Sequence, residues 1–95
     1  MRKITAETYR AFEQGESLSR GNTYTDGQGL YLHENKIAER KAGWLYITLA
    51  GWNTNTTRER LNGLTGVQIT TKQGQAYLNG KEWDGKWVQV QKWKL

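Results

Sequence analysis

Turn dipeptides that end in glycine recur along this sequence and divide it into short segments. Asp26-Gly27, Asn79-Gly80 and Asp84-Gly85 each stand between runs of apolar, aromatic or β-branched residues. Asn-Gly and Asp-Gly favour the two-residue turns that join antiparallel strands, because these residues tolerate positive φ. The pattern therefore predicts an antiparallel meander of six to seven short strands joined by hairpins, with no parallel crossover.

The clearest predicted strands are residues 30–34, 44–49, 67–71 and 86–93. A polar, turn-rich stretch is predicted for residues 16–29, with a short strand at 22–25, and Asn35-Lys36 is predicted to turn the chain. His33 is then a strand residue. Alternation in the last strand predicts that Val88 and Val90 face one side while Trp87 and Trp93 face the other.

Two helices are predicted in addition to the strands. The first covers residues 1–15, with Thr5 as its N-cap and Gly15 at its end. The second is short and central: Thr56 and Glu59 fit a capping box, and Asn62-Gly63 supplies the stop. The predicted fold class is α+β, a mainly antiparallel sheet with the N-terminal helix packed on it.

The length and charge of the chain limit its organisation and its partners. Its 95 residues predict a single domain, 1–95, and the net charge of +5 favours an anionic partner. Cysteine is absent, and no apolar run approaches the roughly 18 residues of a membrane span. We therefore expect a soluble protein of the cytoplasm, with no membrane partner.

The sequence contains few residues in contexts that indicate catalysis. His33 is the single histidine, and no serine stands in a nucleophile-elbow context. One histidine and no cysteine make a dedicated zinc or transition-metal site a poor expectation. We predict that the protein is not an enzyme and has no catalytic residues, metal site or cofactor.

An anion-binding segment is predicted where the central helix begins. Helix N-termini present free amides and a partial positive charge, which suits a phosphate. The candidate contact residues there are Asn53, Thr54, Asn55, Thr57, Arg58 and Arg60. The alternative interpretation is that these side chains only cap the helix.

Tryptophan and lysine alternate near the C-terminus and form a second candidate surface. Lys86 and Lys92 are candidate phosphate contacts, because aromatic rings beside cations bind single-stranded nucleic acid. Trp52 and Trp93 are predicted to be exposed aromatic contacts, and Trp44 and Trp87 to be in the core. The alternative is that this strand packs its second face on the N-terminal helix.

Three segments, GLYLHENKIAE, GWNTNTTRERLNGL and YLNGKEWDGKW, resemble a group of small uncharacterised proteins encoded by tailed bacteriophages and prophages of enteric bacteria. The resemblance implies that the protein is encoded by a phage and acts in the host cytoplasm. With the charge, it leads us to expect a non-enzymatic binding module for nucleic acid or a host nucleic-acid-handling protein. The alternative is an inhibitor of a host defence or metabolic enzyme that uses exposed aromatics. The sequence leaves the oligomeric state open.

Overall fold

The computed structural model describes residues 3–64 and 66–92 as an α+β fold, as predicted. The helices in these ranges are α1 (Lys3–Gln14) and α2 (Asn55–Asn62). The strands are β1 (Ser17–Arg20), β2 (Thr23–Asp26), β3 (Gly29–Leu32), β4 (Asn35–Lys41), β5 (Trp44–Ile47), β6 (Ile69–Lys72), β7 (Gln75–Leu78), β8 (Lys81–Glu82) and β9 (Val88–Lys92).

The strands form two antiparallel sheets. The large sheet has the order β1-β2-β3-β4-β5-β9, and the small sheet has the order β6-β7-β8. Within each sheet neighbouring strands follow one another along the chain, except that β9 joins the edge of β5 after the small sheet is complete. The predicted meander is therefore confirmed. Within the described ranges it has one exception, because β9 pairs with β5 although β6, β7 and β8 lie between them in the chain.

Paired residues with positive φ form tight turns in both sheets. Asn79 and Gly80, with φ of 50° and 87°, join β7 to β8 as predicted. His33 and Glu34, with φ of 49° and 68°, join β3 to β4, so the turn predicted at Asn35-Lys36 is wrong. His33 is consequently an exposed turn residue and not a strand residue. Histidine has no stronger preference for positive φ than the asparagine at position 35, so residue type does not predict this turn. The pairing of β3 with β4 sets the position of the turn.

The edge strand β1 is absent from the sequence-based prediction, which gave residues 16–29 as polar and turn-rich. Its sequence, SLSR, is mostly exposed and carries no apolar alternation. It forms because its backbone pairs with β2, with Ser19 opposite Tyr24. Main-chain pairing of this kind leaves no signature in residue type. The described ranges contain nine strands where six to seven were predicted, and β1 is one of those added.

One core lies between the large sheet, the two helices and the small sheet. Helix α1 packs on β1 and β2, which confirms the predicted helix-on-sheet arrangement, and α2 contacts β4 and β6. The buried apolar residues are Phe12, Leu30, Leu32, Ile37, Ala38, Leu45, Ile47, Leu49, Leu61, Leu64, Val67, Ile69, Ala76 and Trp83. Because all the packed elements lie on one side of the large sheet, we call that side its inner face.

The helix starts differ from the predicted ones. Helix α1 already includes Lys3, so Thr5 lies inside it, buried, and donates a hydrogen bond to Glu59 instead of capping. The N-cap of α2 is Thr54 and not Thr56: its Oγ1 accepts from the amide of Thr57 at 3.2 Å. The predicted capping box is therefore wrong, because Glu59 is engaged with α1. Gly15 and Gly63 follow the helix ends as predicted.

Replacing Thr54 with alanine is expected to lower the free energy of unfolding by about 0.5–2 kcal/mol, because the amide of Thr57 loses its acceptor. Thr56→Ala is the matched control, since Thr56 is not the cap. Urea denaturation of both variants measures the difference. A larger loss in Thr56→Ala than in Thr54→Ala would contradict the cap assignment.

The tryptophans are distributed differently from the prediction. Trp87 is 48% exposed, and Trp83, 8% exposed, is the one in the core. Helix α1 cannot cover Trp87, because it packs on β1 and β2 at the opposite edge of the large sheet from β9. Trp44 is only half-buried, whereas Trp52 is 59% exposed, as predicted. Trp93 lies outside the described residues.

A bulge also breaks the predicted alternation of β9. Gln91 pairs with Leu45 and Gln89 with Tyr46, so Val90 is an extra residue between the two pairs. A residue inserted in this way shifts every later side chain to the other face. Val88 and Val90 are both half-buried against the core as predicted, whereas Gln91 no longer points the same way as Gln89.

Candidate functional site

The predicted anion-binding segment contains one arginine that solvent does not reach. Arg60 is 2% exposed, and its guanidinium donates from Nε to Thr23 Oγ1 at 2.8 Å and from Nη1 to Thr5 Oγ1 at 2.9 Å. It also forms an ion pair with Glu59. Arg60 therefore joins α1, α2 and β2, and its prediction as a contact for an external phosphate is wrong.

The rest of the segment is divided between capping and the surface. Thr57 is buried, and its hydroxyl lies 3.0 Å from that of the cap residue Thr54, which agrees with the alternative interpretation for these two residues. Asn53 and Asn55 are exposed, and their side-chain oxygens both accept from the guanidinium of Arg58. Arg58 is thus held at the surface by neutral amides, which leave its positive charge uncompensated.

The two predicted lysines are placed far apart in the fold. Lys86 is exposed in the turn before β9, where its carbonyl accepts from the indole Nε1 of Trp83 at 3.0 Å. Lys92 lies in β9, and its Nζ is 6.0 Å from the ring centroid of Trp44. The structure therefore does not bring the predicted lysines into one site, and only Lys92 accompanies an aromatic ring on the large sheet.

The outer face of the large sheet, opposite the core, carries a row of aromatic side chains. Tyr24, Tyr31, Tyr46 and Trp44 alternate along their strands with residues buried in the inner face. The register places Tyr24 opposite Tyr31, which is opposite Lys36, and Trp44 opposite Lys92. From β2 to β9 this row spans four strand spacings, about 19 Å. We call these four aromatic residues, with Lys36, Lys41 and Lys92, the aromatic strip.

One end of the strip is a contact between two tyrosines and a lysine. The ring centroids of Tyr24 and Tyr31 are 5.6 Å apart at an interplanar angle of 40°, and Lys36 Nζ lies 5.6 Å from the Tyr31 centroid. Gly29 provides the space for this ring, since a Cβ there would lie 3.1 Å from Tyr31 Cε1. Tyr24 remains 42% exposed, so its ring is available for stacking.

Charge on the strip is mainly positive. Lys36 donates to Glu39 Oε1 at 3.1 Å, and this hydrogen bond raises the pKa of Lys36. Lys41 is exposed beside Trp44 on the paired strand, and Lys92 lies beyond it. Because Glu39 offsets only Lys36, the β9 end of the strip presents two cations next to an indole.

Sequence reasoning missed Tyr24, Tyr31 and Tyr46 as site residues. The signal was present in the segments TYTD, GLYL and WLYI, where each tyrosine alternates with buried residues. Alternation assigns such residues to the face opposite the core. It does not say whether a helix covers that face, and the placement of both helices on the inner side is what leaves the tyrosines open.

Metal binding and membrane insertion can also be assessed for the described residues. Residues 3–64 and 66–92 contain no group of three or more His, Cys, Asp or Glu side chains that could hold a metal ion. None of the helices in those ranges is long and apolar enough to cross a membrane.

Residues 1–94 match the family described as Kyanoviridae Gp96 protein, and the chain belongs to this family. The predicted phage origin is thereby confirmed, whereas the match gives no particular support to phages of enteric bacteria. Neither the curated proteins nor the solved structures contain a match to the chain.

Proposed function

We propose that this member of the Kyanoviridae Gp96 protein family is a non-enzymatic module that binds single-stranded nucleic acid on the outer face of its large sheet. The observation that carries the proposal is the aromatic strip: four aromatic side chains and three lysines on a sheet face that neither described helix covers. We place this activity in the host cytoplasm.

Aromatic rings on an open sheet suit unpaired bases. A base within a duplex is already stacked on its neighbours, whereas an unpaired base can stack on a tyrosine or tryptophan. Small sheet domains that bind RNA hold about two or three bases in this way. The Tyr24–Tyr31 pair at one end of the strip and Trp44 at the other provide two separated stacking positions.

The lysines supply the matching electrostatics. Lys41 and Lys92 flank Trp44, so a base stacked there would have its phosphates near two cations. The net charge of +5 favours association with a polyanion over the whole molecule. Binding of this kind releases counterions and weakens log-linearly with salt, which an apolar protein interface does not do.

Fluorescence anisotropy with labelled single-stranded oligonucleotides tests the stacking part of the proposal. Tyr24→Leu is expected to weaken binding by about 1–3 kcal/mol, because one stacking ring is lost. Tyr24→Phe, which keeps the ring, should bind like the wild type, and equal melting temperatures would show that folding is unaffected. Equal affinity of the Leu and Phe variants would contradict stacking at Tyr24.

The salt dependence of the same titration tests the lysines. Lys92→Gln should reduce the slope of log K against log salt by about 0.7, the value for one phosphate contact on a single strand. Lys72→Gln is the matched control, because it removes the same charge from an exposed position in the small sheet. No detectable oligonucleotide binding at low salt would overturn the proposal and leave inhibition of a host enzyme as the remaining hypothesis.

A further inference from the structure

A pocket of about 550 Å³ lies beside the start of α2 and is separate from the aromatic strip. Its floor is apolar, formed by Leu32, Ile37 and Leu49, and its rim includes His33 and Trp52. This volume is within the range of about 300–1,000 Å³ that is typical of small-molecule sites. An apolar floor with a few polar groups at the rim is also typical of such sites, so the pocket is suited to a small ligand.

The backbone holds Trp52 at the rim of this pocket. Ala50 and Gly51 both have positive φ, of 53° and 83°, and the amide of Trp52 donates to the carbonyl of Leu49 at 2.8 Å. This tight turn places a large apolar side chain at the pocket with 59% of its surface exposed. An indole held by its backbone and open to solvent is available for stacking against a planar ring.

Among the described residues, the pocket lining carries neither a carboxylate nor a cation, and one arginine lies next to it. Arg58 does not line the pocket but the neighbouring groove, where Glu59 is also present. The amide oxygens of Asn53 and Asn55, which flank the lining residue Thr54, hold its guanidinium next to the pocket without neutralising its charge. A ligand whose planar ring stacks on Trp52 and whose negative charge stays outside the pocket, near Arg58, would suit this arrangement, and a nucleotide has both features.

His33 connects the pocket to the aromatic strip. It lines the Trp52 pocket on one side and, on the other, a groove that also includes Tyr24 and Tyr31. The turn formed by His33 and Glu34 is thus the boundary between the two surfaces. A nucleic-acid strand stacked on the two tyrosines would reach the Trp52 pocket by crossing this turn.

We infer that the Trp52 pocket binds one nucleotide, with its base stacked on the indole, and that it receives a base from the end of a strand bound along the aromatic strip. The second part of this inference rests on the proposed function. The first part does not, since a free nucleoside monophosphate has the same ring and charge as a nucleotide within a strand. His33 and Asn35 at the rim supply groups that can hydrogen-bond to a base edge.

Two titrations of the full chain test the inference. Addition of dAMP or dTMP should quench part of the tryptophan fluorescence of the wild type, and this part should be missing in Trp52→Leu. Trp52→Leu should also weaken oligonucleotide binding about 5- to 150-fold, the change that the loss of one stacked base produces. Trp87→Leu is the matched control, because Trp87 is similarly exposed but does not line the pocket, and it should preserve both signals.

The outcomes separate this inference from the proposed function. Tight oligonucleotide binding that Trp52→Leu leaves unchanged, with no quenching by either monophosphate, would overturn the inference and leave the proposed function standing. Quenching at Trp52 by a monophosphate without oligonucleotide binding would support the pocket and overturn the strip. Quenching by an acidic peptide but not by a monophosphate would also overturn the inference.

Discussion

Replacement of Arg60 by alanine is expected to lower the free energy of unfolding by about 3–5 kcal/mol, the usual loss when one member of a buried ion pair is removed. The variant would leave the hydroxyls of Thr5 and Thr23 without their cationic donor and would open space between the two helices and β2. The loss should lie near the lower limit, because Glu59 keeps partial access to water and its charge can be solvated. Chemical denaturation followed by circular dichroism measures the effect.

Arg58→Ala is the matched control for this prediction. It removes an arginine from the same helix, but one whose partners are two exposed amides, and surface changes of this kind usually alter stability by about 0.5 kcal/mol or less. Equal losses in the two variants would contradict the assignment of Arg60 to the interior. A reduced affinity of Arg60→Ala for nucleic acid would not indicate a phosphate contact, because the variant perturbs the packing of both helices.

Replacement of Trp83 by alanine is expected to cost about 3–5 kcal/mol, because it creates a large cavity where the small sheet meets the rest of the core. Its indole also donates to the carbonyl of Lys86 at 3.0 Å and so anchors the turn that leads into β9. For a small domain whose total stability is typically about 5–15 kcal/mol, this loss is a large fraction of the whole. A thermal or urea melt reports it directly.

Trp87→Ala provides the comparison, since Trp87 lies four residues further on and is 48% exposed. We expect it to cost less than about 1 kcal/mol, as for other surface positions outside special features. Trp83→Phe adds a third point: it keeps most of the buried area but loses the indole donor. If Trp87→Ala destabilises the protein more than Trp83→Ala does, the burial assigned to these two residues is reversed.

The two arginines and the two tryptophans differ in burial for reasons that their residue types do not show. Arg58 and Arg60 both stand in a polar segment at a helix start, and residue type gives no reason to treat them differently. Only the packing of α1 against α2 brings Thr5 and Glu59 to one of them and leaves the other at the surface. Likewise Trp83 and Trp87 both stand beside turn residues, and the return of β9 to the far edge of the large sheet decides which one is covered.

The sequence by itself determined the features that depend on a few neighbouring residues. Asn79-Gly80 adopts the predicted hairpin turn, Gly15 and Gly63 follow the helix ends, and the predicted strand at 44–49 is present as Trp44–Ile47, because each depends on local backbone preference. The α+β class follows from the same short-range signals. Phage origin is likewise contained in the sequence, as the family match shows.

Only the tertiary structure decided which residues reach solvent together. The aromatic strip exists because β2, β3, β5 and β9 are brought side by side in one register, and because both described helices pack on the opposite face. Its members are separated in sequence by up to 68 positions, from Tyr24 to Lys92. Strand register and helix placement result from the burial of the whole core, a sum over distant residues, so no local pattern could place Tyr24, Tyr31 and Trp44 on one open surface.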